Sequence, residues 1–225
     1  MVASPSPSVR SPLSVLVTGF DPFGGSPTNP SWHAVHALHG REIAGHRIVG
    51  AELPTVFGRA LQRLEQLLEE YRPGLVICTG QAGGRAAISL ERVAINVDDA
   101  RIPDNAGAQP IDRPVVPGAP AAYFSTLPIK AMLAALHAHG LPAEISNSAG
   151  TYVCNHIAYA MLHLAARRRG TRAGFIHIPY LPEQAAMRRG APSMAAGDVV
   201  RGLEIALRTA TATRIDSKLG AGALD

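Results

Sequence analysis

Uninterrupted apolar runs alternate along the chain with stretches in which apolar residues recur every three or four positions. "SVLVTGF" (14–20) and "GLVICTG" (74–80) are continuous apolar runs closed by glycine, the pattern of strands buried on both faces. "RIVGAELP" (47–54) reads as a weaker strand that Pro54 ends. Over 56–71, Val56, Phe57, Ala60, Leu61, Leu64, Leu67 and Leu68 keep a helical period, while Arg59, Arg63, Glu65 and Glu70 fall largely outside that stripe. Further on, the pattern predicts a strand or hairpin arm over 88–97 and a helix over 121–139 that Pro128 breaks or delays. A strand over 143–147, a helix over 154–168, a strand over 174–180 and a last helix over 194–212 follow. Strands alternating with helices predict an α/β domain around a largely parallel sheet. No internal repeat or interdomain linker interrupts it. The expectation is therefore one domain over 13–213, with a disordered leader over 1–12 and an aperiodic tail over 214–225.

The loops carry more than the elements do. "GFDPFGGSPTNPSW" (19–32) and "GQAGGR" (80–85) directly follow strands, and "DDARIPDNAGAQPID" (98–112) is a long Pro-, Gly- and Asn-rich connection. In open α/β sheets ligands lie at the carboxyl ends of the strands, where such loops converge. Neither glycine-rich loop has a phosphate-binding spacing. Pro22 and Phe23 remove a donor and add bulk where a phosphate would need bare amides.

Composition narrows the classes. The chain has 225 residues, enough for one large core, and no run of eighteen apolar residues to cross a membrane. The formal charge is +4, but Lys130 and Lys218 are the only lysines and no nucleic-acid motif accompanies the arginines, so nucleic-acid binding is not expected. The dense cluster Arg167–Arg169 with Arg172 ends a predicted helix, where cations favour the dipole. Two cysteines without a C-x-x-C make no disulfide framework and point to a reducing cytoplasm. His33, His36 and His39 drift around a helix surface, and without H-E-x-x-H no metal site is expected. A serine nucleophile lacks its G-x-S-x-G turn.

That leaves the cysteines. Cys78 lies inside an apolar strand and reads as core. Cys154, in "GTYVCNH" (150–156), falls at the first turn of a predicted helix, where exposed amides and the positive end of the dipole would lower its pKa and hold a developing oxyanion. A buried core thiol is the competing reading. His156 is two residues on and points away from the thiol. His177, near the end of the last apolar strand and before Pro179, is the better base. Glu91 is a carboxylate in an otherwise apolar extended segment, an expensive position without a partner. It either orients an imidazole or pairs with Arg85, Arg92 or Arg101, with Asp98, Asp99 and Asp104 as rival acids.

The motifs "TGFDPFGGSPTNPSW", "GQAGGRAAISLERVAINVDDARIPDNAGAQPID", "STLPIKAM", "TYVCNH" and "GFIHIPYLPEQ" occur in one order and spacing from Val15 to Ala212. In them the chain closely resembles the pyroglutamyl peptidase I (pyrrolidone-carboxylate peptidase) family of cysteine peptidases. The resemblance implies a phosphorylase/hydrolase-like three-layer α/β/α sandwich with a mixed sheet. It also implies a Cys154–His177–Glu91 triad, with neither cofactor nor metal, that removes an N-terminal pyroglutamyl residue from peptides through a thioester. By the same resemblance, Phe20 and Phe23 pack on the lactam ring, Asn29 buttresses their loop and the Gln81 main-chain carbonyl receives the lactam N–H. Ile102 and Val153 complete the wall, Arg101 lies near the site, and the chain assembles as a homotetramer. Tyr152 departs from the pattern: many members carry Phe there, and the added hydroxyl needs a partner. A thiol amidase or thioesterase acting on another acyl group, or a non-catalytic small-ligand binder, are the alternatives that residues alone leave open.

Overall fold

A computed structural model of the chain describes residues 14–222; the expected leader over 1–12 lies outside them. The elements run β1 (Val15–Phe20), α1 (Pro30–Leu38), β2 (Glu42–Ile43), β3 (His46–Leu53), α2 (Arg59–Tyr71), β4 (Leu75–Gln81), β5 (Ile88–Glu91), β6 (Val93–Ile95), β7 (Ala122–Phe124), α3 (Ile129–Ala138), β8 (Ala143–Ser146), α4 (Val153–Ala166), β9 (Arg172–Ile178), α5 (Pro182–Ala186) and α6 (Ala196–Ala212).

The fully apolar runs take the centre of a seven-stranded sheet of order β2-β3-β1-β4-β9-β5-β8. β3, β1, β4 and β9 are parallel. β5 runs antiparallel to β9 and parallel to β8, while β2 closes the opposite edge antiparallel, so the sheet is mixed. Alternate strand residues separate the core into two clusters. Val15, Val17, Ile77, Ile176 and Ile178 pack with α1, α3 and α6 on one face. Leu16, Val76, Cys78 and Phe175 pack with α2 and α4 on the other. Helices therefore cover both faces, as a sheet apolar on both sides requires.

Three expectations need correction. The helix expected over 121–139 is two elements: residues 122–124 form β7, paired with β6 (Val93↔Phe124, Ile95↔Ala122), and the helix begins at Ile129, after Pro128. The segment 88–97 is also two strands. The chain switches sheets at Arg92, whose N–H donates to Ser146 and whose carbonyl accepts from Ser125. The helix expected from 56 starts at Arg59, because Gly58 at its N-cap has φ 73° and holds the preceding residues in a turn. The three histidines expected on a helix surface are exposed, His33 and His36 on α1 and His39 just beyond its end.

The aperiodic tail has no regular structure over 214–222, yet it is anchored. The Asp216 carboxylate accepts from the Lys130 and Ala131 amides at 3.0–3.1 Å. It thereby caps α3, whose own N-cap is Pro128 and offers no side-chain acceptor. Arg92 Nη2 donates to the Ala221 carbonyl at 2.9 Å.

Candidate active site

β1, β4 and β9 end side by side at Phe20, Gln81 and Ile178, and the long loops leave from that edge. β5 lies antiparallel against β9 in the register Ser89↔His177 and Glu91↔Phe175. This places two buried polar residues together: His177 Nδ1 lies 2.7 Å from Glu91 Oε1, with side-chain exposures of 5% and 2%. The same carboxylate oxygen accepts from Arg85 Nη1 at 2.7 Å, and Arg85 Nη2 donates to the Ser148 carbonyl. The two readings of Glu91, imidazole partner and arginine partner, hold at once. Arginine and imidazole together offset the cost of burying the carboxylate. Glu91 Oε2 is buried without a hydrogen-bond partner among the described residues.

Cys154 is the second residue of α4, which has Tyr152 at its N-cap and no side-chain cap. A Cβ added to Gly80 would lie 2.7 Å from Cys154 Sγ and 2.9 Å from the Phe175 ring, so the missing side chain at Gly80 is what makes room for the thiol. Gly80 is the register partner of His177, and the Phe175 and His177 rings lie 4.9 Å apart on β9. The thiol therefore sits over the strand pair that carries the imidazole. Its ionisation reverses the expectation from the helix start: the Cys154 pKa is pushed up to about 12, first by burial and then by the Glu91 charge, with Arg85 opposing. Burial between strand and ring outweighs the exposed amides at the helix end. Cys78 is pushed up to about 12 by burial, with a hydrogen bond to Thr18 opposing, and lies 3.3 Å from the Met161 sulfur, in the core as expected.

Of the expected pocket residues, Phe23 and Tyr152 face each other with ring centroids 6.1 Å apart, and Phe57 meets Tyr152 edge-on at 5.6 Å. The Tyr152 hydroxyl donates to the Pro103 carbonyl at 3.1 Å, which supplies the partner it needed. Asn29 is buried and holds its loop, accepting from Ser31 N and Oγ and donating to the Asp21 carbonyl. Phe20 and Val153 are buried in the core beside α2 and α4. Arg101, Ile102 and Tyr152 line one surface cavity of about 320 Å³ with Asp99, Gly150 and Thr151. Arg101 is exposed on its rim, and the arginine on Glu91 is Arg85. Gln81 accepts through Oε1 from Gln184 Nε2 at 2.8 Å, and Gln184 also reaches Ser26 and Thr28. Gln184 carries no signal in the sequence, because its burial and its partners Gln81, Ser26 and Thr28 arise only with the fold. Among the described residues, no group of three or more His, Cys, Asp or Glu could hold a metal ion. No helix among them is long and apolar enough to cross a membrane.

A cysteine at a helix start, packed over the strand that carries a carboxylate-bound imidazole, is the equipment of a thiol hydrolase built on an α/β sheet. A sequence model described as pyroglutamyl peptidase matches residues 13–213. The chain is 56% identical over 209 residues to the pyrrolidone-carboxylate peptidase of Klebsiella pneumoniae (strain 342), covering 93% of this chain and 98% of that protein. With a pyroglutamyl peptidase I structure from Bacillus amyloliquefaciens it shares 44% identity and a TM-score of 0.91, over 93% of this chain and all of that one. With a mutant pyrrolidone carboxyl peptidase from Pyrococcus furiosus the TM-score is 0.87 at 47% identity, over 89% and 99% of the two chains. The chain belongs to the pyroglutamyl peptidase family of cysteine peptidases.

Proposed function

We propose that the chain removes N-terminal pyroglutamyl residues from peptides, with Cys154 as nucleophile, His177 as general base and acid, and Glu91 as the group that orients the imidazole. The observation that carries this reading is the 2.7 Å contact of His177 Nδ1 with Glu91 Oε1. It puts the proton on Nδ1 and leaves Nε2 free to take a proton from the thiol. With the Cys154 pKa so high, the thiol proton moves to His177 as sulfur attacks the scissile carbonyl, and no standing thiolate is required. The charge on the imidazolium is balanced by Glu91. First-turn amides of α4, left without a side-chain cap, are available to the oxyanion. His177 then protonates the leaving amine, and a water that it deprotonates clears the thioester.

The lactam is flat and neutral. In this reading it lies among Phe20, Phe23, Ile102, Tyr152 and Val153, with its N–H on the Gln81 carbonyl, Asn29 holding the loop and Arg101 at the rim. A free α-amine would have to lose hydration among those rings, so ordinary N-termini are rejected. Residues 13–213 act as one catalytic domain. A cytoplasmic location fits a thiol nucleophile and two free cysteines. A homotetramer would cover the outer face of the β6–β7 hairpin, where Ile95 and Phe124 are 37% and 69% exposed. Light scattering of the pure protein would count the copies.

The deciding experiment is amine release from a pyroglutamyl amide reporter, compared with the matching prolyl amide. Wild type is expected to cleave the first alone, and Cys154→Ser to cleave neither. A Cys154→Ser protein with wild-type turnover would overturn the assignment.

A further inference from the structure

The residue after the thiol is fully buried and hydrogen-bonded to a single segment. The Asn155 side chain accepts from the Ile95 amide through Oδ1 at 3.1 Å and donates through Nδ2 to the Ile95 and Val97 carbonyls, both at 2.9 Å. His156 continues the pattern: its Nδ1 lies 2.8 Å from Asp98 Oδ2, while Gly58 N–H approaches Nε2 at 3.4 Å. The first turn of α4 is therefore held to residues 95–98, the stretch that leaves β5 and Glu91 by way of β6.

We propose that Asn155 is a positioning residue for acylation, setting the rotation of the first turn of α4 so that Cys154 Sγ stands over the β4–β9 pair that carries His177. Two observations favour this over simple satisfaction of a hairpin edge. α4 has no side-chain cap, so its first turn lacks the usual anchor and depends on contacts made from within it. Successive helix residues turn by about 100°. The helix can thus present Cys154 to the sheet and Asn155 to β6 together, and fixing one fixes the other. Both amide hydrogens and the oxygen of Asn155 are used, and no other side chain of that size offers two donors and an acceptor in that geometry. A displacement of the reacting atom by about 1 Å costs on the order of 10²-fold in rate.

The inference rests on the triad reading. Its test measures kcat and KM on the pyroglutamyl amide for Asn155→Ala and Asn155→Asp, beside Cys154→Ser, with folding followed by circular dichroism and melting. Folded Asn155→Ala is expected to lose about 10²-fold in kcat, with KM kept within about threefold. In Asn155→Asp the carboxylate faces two carbonyls, and a proton on it restores one donor. Its activity as a ratio to wild type at equal pH is therefore expected to climb as pH falls from about 8.5 to about 6. A folded Asn155→Ala with kcat within about threefold of wild type, or with only KM changed, overturns the proposal. Should the alanine variant not fold, a flat Asn155→Asp ratio overturns it and a climbing one supports it. Activity in Cys154→Ser would instead strike down the triad reading, whatever the Asn155 variants do.

Discussion

His177 Nδ1 stands 2.7 Å from Glu91 Oε1 in a site where both side chains are almost wholly buried. That contact fixes the ring's orientation, and in the proposed mechanism its charge balances the imidazolium that forms when the thiol gives up its proton. Glu91→Gln keeps the shape and an oxygen acceptor but removes the charge. Steady-state hydrolysis of the pyroglutamyl amide is expected to lose roughly 10²–10⁴-fold in kcat, with little change in KM.

Arg85 shares the same carboxylate oxygen and is the cation that opposes the rise of the Cys154 pKa. Arg85→Met removes it and leaves Glu91 facing the thiol without that counter-charge. Iodoacetamide labelling of Cys154, followed by mass spectrometry, is expected to slow severalfold, and amide hydrolysis to fall with it. Arg85→Lys should recover part of both.

Cys78 and Cys154 are both pushed up to about 12 in the folded protein. Above about pH 8.5 the unfolded chain releases thiol protons that the native state retains, so the unfolded state gains and native stability declines as pH rises toward the folded values. The melting temperature is expected to fall from about pH 9 to about pH 11. Cys78→Ala, which deletes one of these two thiols, should flatten that slope once its cavity cost is subtracted at neutral pH.

Asp216 supplies the cap that Pro128 cannot. Asp216→Ala should lower unfolding free energy by about 1 kcal/mol, and Asp216→Asn by less. Urea unfolding would measure both. Turnover of the pyroglutamyl amide should be unchanged, since α3 lies on the sheet face away from Cys154.

What could be read from the sequence follows from how local each signal is. β1 and β4 were legible because strands buried on both faces are apolar almost throughout, with only Thr18, Thr79 and the terminal Gln81 polar, and α2 because its stripe is regular. Cys154, His177 and Glu91 each announced themselves by position: a helix start, a strand end, a charge where charge is costly. The motif resemblance implies the roles proposed for them. Residues 122–124 were misread because so short a stretch takes its conformation from β6, its partner across a long connection. The ionisation of Cys154 was misread for a similar reason. The helix end is visible in sequence, but the Phe175 ring and the Glu91 charge arrive only with the fold. Gln184 and Asp216 form contacts too distant along the chain for any pattern to show.

The division of the site between layers has a mechanical consequence. Glu91 and His177 are woven into adjacent strands of one sheet, each paired on both sides. Cys154 rides on a helix lying over them. Two of the three groups therefore move as one stiff plate, and the coordinate along which the assembly can breathe is the gap between that plate and α4. A change in packing far from the site would reach the proposed chemistry by shifting that spacing, whereas Arg85 acts on it through charge.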